Sequence, residues 1–262
     1  FGLFLSLIAG ISACGGGGSN SVAGKGKKIS FSDSQRKVVD AHVEAGKSGG
    51  KGVEGQIKSK TNQSGKLEFS LPYHSVGKLV TASVQNLVAE DVKNQKFQFD
   101  VDQACTKSGS QKIKGDFSMV ASENSGEVNM TVGAALNNCE EASGIVDGNL
   151  TVTVAIKGAG KSGTVAFTLG GSTTAKVQEN GQTGNYSVSF DNFSMKISID
   201  EALVKAMDEK NMTTTEQKKA AYQKLLEKTE CTGGVSLAGQ TLACADLLQT
   251  AMDEEVNSQS AN

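Results

Sequence analysis

Apolar and polar residues alternate one by one through most of the middle of the chain, from Lys96 to Ile199. A period of two is typical of a β-strand that buries one face and exposes the other. Clusters of Gly, Asn, Asp and Ser interrupt the alternation at 123–126, at Asp147-Gly148 and at 158–163, and such clusters favour hairpin turns. The pattern predicts an antiparallel meander with one face open to water. The alternating apolar residues are Phe97, Phe99, Val101; Ile113, Phe117, Met119; Val128, Met130, Val132; Leu150, Val152, Val154, Ile156; Val165, Phe167 and Leu169.

The parity of the apolar positions changes in the last long strand. Tyr186, Val188 and Phe190 are followed by Phe193 and further odd-numbered apolar residues. One face can stay buried across this shift only if the strand holds an extra residue, so we predict a β-bulge or tight turn near Asp191-Asn192.

Helical spacing precedes the meander. Ser32 to Gln35 has the form of a capping box, which predicts a short helix over about 33–45. We interpret the Gly-, Lys- and Ser-rich segment 46–65 as a long loop. Leu67 to Leu71 then predicts a strand, and apolar residues three and four apart predict a helix over about 75–92.

Helical spacing also follows the meander. Asp200 predicts one helix cap, and Thr213 with Glu216 predicts a capping box for a second helix. The segment Cys231 to Cys244 has the form of a hairpin, with a last helix from Ala245. The expected fold is α+β: an antiparallel β-meander, as a curved sheet or partial barrel of about seven to nine strands, with flanking helices in one domain over 29–262.

The first residues of the chain form an uncharged apolar run, FGLFLSLIAGISAC. The run is shorter than the roughly 20 residues that span a bilayer, but it has the length of the apolar core of a secretory signal. It begins without methionine or a basic segment, so we expect the natural chain to start further upstream. We interpret 1–13 as the remnant of a signal peptide and the Gly-, Ser- and Lys-rich stretch 14–28 as a flexible tether.

Ile11-Ser12-Ala13-Cys14 resembles the lipobox of bacterial lipoproteins, in which cleavage occurs just before the cysteine. The resemblance implies a thioether-linked lipid on Cys14, usually with an acyl chain on its amine, and anchorage to a membrane of the cell envelope. Gly15 after the cysteine is similar to the pattern of lipoproteins sorted to the outer membrane. The rest of the chain is similar only in composition to uncharacterised β-rich lipoproteins of Gram-negative bacteria, which implies no activity.

Four cysteines remain when Cys14 is set aside, namely Cys105, Cys139, Cys231 and Cys244. An even number suits the oxidising compartment of an exported protein. Three pairings are possible, and we favour Cys105 with Cys139 and Cys231 with Cys244 because each pair closes a local loop. A metal site is the alternative, but neither C-x2-C nor H-x3-H spacing occurs. We therefore expect disulfides and neither a metal nor another cofactor.

Charge and composition exclude several partners. The chain has 26 basic and 28 acidic residues and a net charge of −2, without a basic block, so we expect no nucleic-acid binding. Arg36 is the single arginine, which does not favour a bidentate phosphate or carboxylate clamp. The chain has no Trp and 5% aromatic residues, so stacking surfaces for bases or sugars are poorly supplied.

A glycine-rich segment and the two histidines are candidates for enzymatic sites, but the sequence around them does not support such a site. Ala155 to Thr164, AIKGAGKSGT, is close to a phosphate-binding P-loop, but the following residues alternate as a strand instead of starting a helix. The same AGKSG string occurs at Ala45 to Gly49, and we interpret both as loop composition. His42 and His74 are the only histidines that could act as bases, and no G-x-S-x-G motif accompanies them.

Two further groups have ordinary structural interpretations. Asp100 and Asp102 fall on one face of a predicted strand, where they could bind calcium or flank a glycosidic bond, but a solvated strand face is the favoured interpretation. The apolar stripe of Tyr222, Leu225 and Leu226 could contact a membrane or a partner, and packing on the protein's own sheet is favoured.

These observations indicate an exported, lipid-anchored protein with a structural or binding role and no enzymatic activity. Its partners are expected to be the membrane, through the anchor, and an envelope protein or an apolar ligand. The alternative function is that of a carrier, because a curved sheet covered by helices can enclose an apolar molecule or lipid.

Overall fold

An open, eight-stranded antiparallel sheet forms the centre of the computed structural model, which describes residues 26–27, 29–61, 94–122, 125–160, 162–208 and 211–250. Each strand pairs with its neighbours in chain order, so β1 and β8 are the outermost of the described strands. The strands are β1 (Gln95–Ala104), β2 (Ser108–Ala121), β3 (Ser125–Glu140), β4 (Ile145–Ala159), β5 (Ser162–Glu179), β6 (Gln182–Ile199), β7 (Thr229–Leu237) and β8 (Gln240–Ala243). The described helices are α1 (Asp33–Thr61), α2 (Glu201–Ala206), α3 (Thr215–Glu227) and α4 over residues 244–250. This confirms the α+β meander and its number of strands.

Several sequence predictions lie outside the described residues. These are the apolar run that ends at Cys14, the strand from Leu67 to Leu71, the helix over 75–92 and His74.

The alternation buries one continuous face of the curved sheet, which we call the inner face. Odd-numbered residues of β1 and β2 point to it, as do even-numbered residues of β3 and β4. All four helices contribute side chains to the core on this side, for example Val38, Leu203, Leu225 and Leu247. Polar residues occupy most alternate positions on the opposite, outer face, so the prediction of one wet face is confirmed for the described strands.

Helix α1 is longer than predicted. Its N-terminus has the expected capping box, in which the Ser32 amide donates to Gln35 Oε1 at 3.0 Å and the Gln35 amide donates to Ser32 Oγ at 3.3 Å. The helix then continues to Thr61, so the interpretation of 46–65 as a loop is wrong for 46–61. Glycine disfavours helix by about 1 kcal/mol per residue. Here Gly49 lies so close to β2 that a Cβ atom would collide with Gln111 Oε1, so the lack of a side chain at Gly49 allows this close approach.

The strand irregularities are partly as predicted. The bulge in β6 is confirmed by the register shift between Asp191 and Ser194. Asp147-Gly148 is not a turn, because both residues lie inside β4 and the chain reverses at 141–144. Gly148 has a φ of +125° and pairs with Leu136, next to a shift in register along β3. A Cβ there would lie 2.5 Å from the Ser172 carbonyl oxygen, so the glycine allows an irregularity in the strand.

The two helices after β6 begin where the sequence predicts, except that one capping box lies one residue further along the chain. Asp200 caps α2 as predicted, accepting a hydrogen bond from the Leu203 amide at 2.8 Å. The capping box of α3 is formed by Thr214 and Gln217, so its prediction at Thr213 and Glu216 is wrong by one residue. Only a residue whose side chain reaches the third amide of the helix can close the box.

Candidate functional site

The described chain enters the domain beside α4. The Lys27 amide donates to Asp246 Oδ1 at 2.8 Å, and the Ile29 amide donates to Thr250 Oγ1 at 3.2 Å. Asp246 and Thr250 are both fully buried. The segment that follows the predicted anchor is thus attached to the C-terminal helix by specific hydrogen bonds, and Cys14 itself lies outside the described residues.

The first disulfide links Cys105, after β1, to Cys139 near the end of β3, with Cα atoms 5.4 Å apart. Glu141 is buried beside it, with Oε1 3.3 Å from the Thr106 amide and 3.8 Å from Cys139 Sγ. Gln111 is also buried beside the disulfide, with Nε2 3.7 Å from Cys139 Sγ, and it donates from Nε2 to the Ala45 carbonyl at 3.0 Å. Two sulfurs and a carboxylate within 4.8 Å could hold a metal ion, but sulfurs joined in a disulfide are not thiolate ligands.

The second disulfide links Cys231 in β7 to Cys244, the first residue of α4, with Cα atoms 5.7 Å apart. It closes the base of the β7–β8 hairpin, whose turn is at Ala238-Gly239. Both predicted pairings are therefore confirmed. The first bond connects the β1–β2 turn to β3, and the second connects β7 to the start of α4.

His42 is part of the core between α1 and the sheet. Its Nδ1 lies 2.7 Å from the Val38 carbonyl oxygen, so this nitrogen carries the proton and donates. Nε2 then accepts from the Thr173 hydroxyl at 2.7 Å. Burial lowers the pKa of His42 below its ordinary value, and the Val38 hydrogen bond only partly offsets this. A hydroxyl bound to a neutral imidazole is the pair used in nucleophilic catalysis, but here both residues are buried by α1.

Asp100 and Asp102 lie on the exposed outer face of β1. The first forms an ion pair with Lys114 at 2.6 Å, and the second pairs with Lys112 at 3.5 Å. The hydrogen bond from Lys114 is the main reason that the pKa of Asp100 lies below its usual range. Each carboxylate therefore faces a lysine on the next strand, which agrees with the interpretation as a solvated strand face.

The two AGKSG strings have different structures and neither precedes a helix N-terminus. The string at Ala159 to Gly163 contains the turn between β4 and β5. The string at Ala45 to Gly49 lies inside α1, so its interpretation as a loop is wrong. The phosphate-binding geometry of a strand followed by a helix is formed at neither position.

The stripe of α3 packs inside the protein. Tyr222, Leu225 and Leu226 are all buried in the main core, as predicted.

A row of apolar residues crosses the first four strands. Phe97, Phe117, Met130 and Val154 lie in register across β1 to β4 on the inner face. We call these four residues the apolar row. Phe117 is buried, whereas the other three are only half-buried.

Several buried polar residues were missed by the sequence patterns. Gln111, Thr173, Glu141 and Asp246 are each less than 4% exposed. Gln111 and Thr173 fall at inner-face positions of strands. Each is a polar residue at a position where the alternation expects an apolar one, and this mismatch could have identified them. For Glu141 and Asp246 no such signal exists, because they lie in a turn and a short helix.

The sequence matches no family model and no curated protein, and the fold matches no solved structure. Among the described residues, none of the helices combines the length and apolar character needed to cross a bilayer.

Proposed function

We propose that this protein is a lipoprotein of the bacterial envelope, attached to a membrane through lipid on Cys14, with a structural or binding role. The observation that carries the proposal is the run FGLFLSLIAGISAC followed directly by four glycines. Two or three acyl chains would hold the domain stably, whereas one chain binds a membrane only marginally. The proposed location is the outer membrane, because Gly15 follows the cysteine.

Two features of the structure support this proposal. The two disulfides suit export to an oxidising compartment. The chain is hydrogen-bonded to α4 from Lys27 onwards. The sequence 15–25 before it is Gly-rich, and a random chain of this composition and length reaches about 20 Å. This distance would separate the domain from the lipid headgroups.

Intact-mass analysis of the protein extracted from membranes tests the anchor. The expected mass corresponds to a chain that begins at Cys14 and carries acyl chains. The Cys14→Ser variant should keep residues 1–13 and lose the lipid, because the thioether needs the sulfur. An unmodified Cys14 in the parent protein would refute the proposal.

A second candidate function is the transport of an apolar ligand, and the apolar row favours it. Half-buried Phe97, Met130 and Val154 offer an apolar surface on the inner face of a curved sheet. Helix α1 covers another part of this face, where Val53 joins the core of Phe99 and Ile113. A ligand would therefore bind at one end of the sheet and not along its whole length.

Displacement of a fluorescent fatty acid tests the carrier function. We expect Met130→Glu to weaken binding at least about tenfold, because it places a charge on the apolar surface. Thr131→Glu is the matched control, since the neighbouring residue points to the outer face. Equal effects of the two variants, or no binding by the parent, would rule the carrier out.

A further inference from the structure

The Cys105–Cys139 disulfide has a buried carboxylate beside it. Glu141 is 3% exposed, and its Oε1 lies 3.8 Å from Cys139 Sγ. Among the described residues, the Thr106 amide is the only hydrogen-bond donor to this carboxylate, and no basic side chain forms an ion pair with it. A carboxylate has room for about four hydrogen bonds, and a buried charge without a counter-charge is costly. A cation beside Glu141 would therefore be stabilised.

The distances at this position suit a tetrahedral zinc ion. The two sulfurs and an oxygen of Glu141 all lie within 4.8 Å of one another. With Zn–S bonds of about 2.3 Å and Zn–O bonds of about 2.1 Å, such an ion separates a sulfur from an oxygen by about 3.6 Å and two sulfurs by about 3.8 Å. The separation of 3.8 Å between Cys139 Sγ and Glu141 Oε1 is close to the first value. When the S–S bond is broken, the sulfurs move apart to van der Waals contact, which is near the second value.

Backbone hydrogen bonds hold the three residues together without help from the disulfide. The Lys107 amide donates to the Glu140 carbonyl at 3.0 Å, which ties the β1–β2 turn to the end of β3. The Glu141 amide donates to the Gly144 carbonyl at 2.9 Å, which fixes the β3–β4 turn. Reduction of the disulfide would therefore free the two sulfurs without separating the segments that carry them.

Two N–H groups support anionic ligands here. The Thr106 amide donates to Glu141 Oε1 at 3.3 Å, and Gln111 Nε2 lies 3.7 Å from Cys139 Sγ. Donors of this kind stabilise and orient the ligands of a bound metal. Gln111 is 1% exposed, and its Oε1 has no hydrogen-bond partner. Three protein ligands leave the fourth position of zinc to a water molecule, which needs an acceptor such as this oxygen.

We propose that Cys105, Cys139 and Glu141 form a zinc site once their disulfide is reduced. A dithiol breaks the S–S bond by exchange: each cysteine sulfur gains one electron and one proton, and the dithiol becomes a disulfide. Zn²⁺ then displaces the two thiol protons to solvent and bonds to both sulfurs and to the carboxylate. Oxidation by another disulfide reverses the exchange, takes two protons from solvent and releases the ion. This inference does not depend on the lipid anchor.

The second disulfide provides an internal comparison. Cys244 Sγ lies 3.7 Å from the Ser194 carbonyl oxygen. Among the described residues, no carboxylate or histidine joins Cys231 and Cys244 in a group of possible metal ligands. Reduction of this pair yields two thiols without a third ligand, so zinc binding should follow the first pair.

Cobalt binding to the reduced chain tests the site. The full chain in detergent is reduced with excess dithiothreitol in guanidinium and transferred without oxygen into buffer with Co²⁺, a spectroscopic substitute for zinc. We expect one Co²⁺ per chain with thiolate-to-cobalt charge-transfer absorption, which Zn²⁺ should displace. The oxidised chain should bind at least about a hundredfold more weakly, because a disulfide sulfur is not a thiolate ligand. Cys105→Ser/Cys139→Ser should lose the absorption.

Glu141→Gln tests the carboxylate. A group beside a metal ligand typically changes affinity by about 10- to 100-fold, so removal of a ligand should raise the Kd for Zn²⁺ at least about tenfold. Glu140→Gln is the matched control, because it alters the preceding carboxylate, which accepts from the Ser108 hydroxyl at 2.7 Å. Its Kd should stay within about threefold of the parent value. Circular dichroism of the oxidised variants checks that both fold.

Zinc X-ray absorption of the reduced parent gives a measurement without substitution, and it should show two sulfur and two oxygen neighbours. A reduced parent that binds no Co²⁺, folded or unfolded, overturns the proposal. Equal binding by Glu141→Gln and Glu140→Gln overturns it as well. So does absorption that survives in Cys105→Ser/Cys139→Ser, because the metal would then be held by other cysteines.

Discussion

The inner and outer faces of the sheet use neighbouring residues for different purposes. On β2, Ile113 and Phe117 are buried among apolar side chains, whereas Lys112 and Lys114 form exposed ion pairs with β1. Apolar burial contributes about 25 cal/mol per Å², while an exposed ion pair contributes little because water and salt screen it. The comparison teaches that stability depends on one face, which leaves the other free to set solubility and recognition.

The largest expected effect is the loss of a large inner-face side chain. Phe117 is 2% exposed and stacks on Phe97. Phe117→Ala should lower the free energy of unfolding by about 3–5 kcal/mol, because it removes apolar burial and leaves a cavity. Urea unfolding measures this, and Ser118→Ala on the outer face should change the value by less than about 0.5 kcal/mol. Similar losses in the two variants would contradict the division between the faces.

The disulfides come next. The Cys105–Cys139 bond spans 34 residues and the Cys231–Cys244 bond spans 13. In the chain-entropy model, replacing both cysteines by serine should cost about 4 kcal/mol for the first pair and about 3 kcal/mol for the second. Thermal and urea unfolding of the two double variants should give this order. A reversed order would mean that packing around the bonds outweighs loop entropy.

A pH effect should arise from His42 on the inner face. Because burial lowers its pKa in the folded state, its contribution to stability is complete above the unfolded pKa of about 6.5. Below that pH the unfolded chain binds a proton that the folded core excludes, so stability falls by at most about 1.4 kcal/mol per pH unit until the folded pKa is reached.

Urea unfolding at pH 7.5 and pH 5 measures this dependence. His42→Gln should reduce the difference between the two pH values. If His42→Gln keeps the full difference, the assignment to His42 is wrong.

The smallest effect belongs to an outer-face ion pair. Lys157 and Glu127 are exposed and lie 2.9 Å apart on neighbouring strands. The Asn129 side chain is the main cause, with Lys157 second, of the low pKa of Glu127. Lys157→Ala should leave the urea midpoint unchanged within error, at low and at high salt. If Lys157→Ala lowers the urea midpoint at low salt but not at high salt, outer-face ion pairs stabilise the fold more than we expect.

Local signals proved sufficient where a short stretch of chain defines its own structure. The alternation through Phe97 and Phe99 located β1, and the parity shift at Asp191 located the bulge in β6. Ser32 and Asp200 capped helices as expected because a cap needs only the next three residues. The cysteine pairs were predictable because each closes a loop between elements that are close along the chain.

Prediction failed where a distant surface selects the structure. Gly49 looked like a loop residue, yet it lies inside α1 at a close approach to β2. Gly148 looked like a turn residue, yet pairing on both sides keeps it in β4. In both cases glycine is needed because another backbone or side chain approaches closely, and that neighbour lies far away in the sequence.

The sequence by itself determined where most of the strands of the meander lie and which face of each is apolar, and it favoured the cysteine pairing that the structure shows. These properties follow from the period of two and from short loops. Tertiary structure alone decided that α1 extends across the inner face, that Thr173 holds the imidazole of His42 and that Gly148 lies inside β4. Burial and hydrogen bonding between distant segments outweigh local preference at these positions, because each distant contact removes apolar surface or polar groups from water.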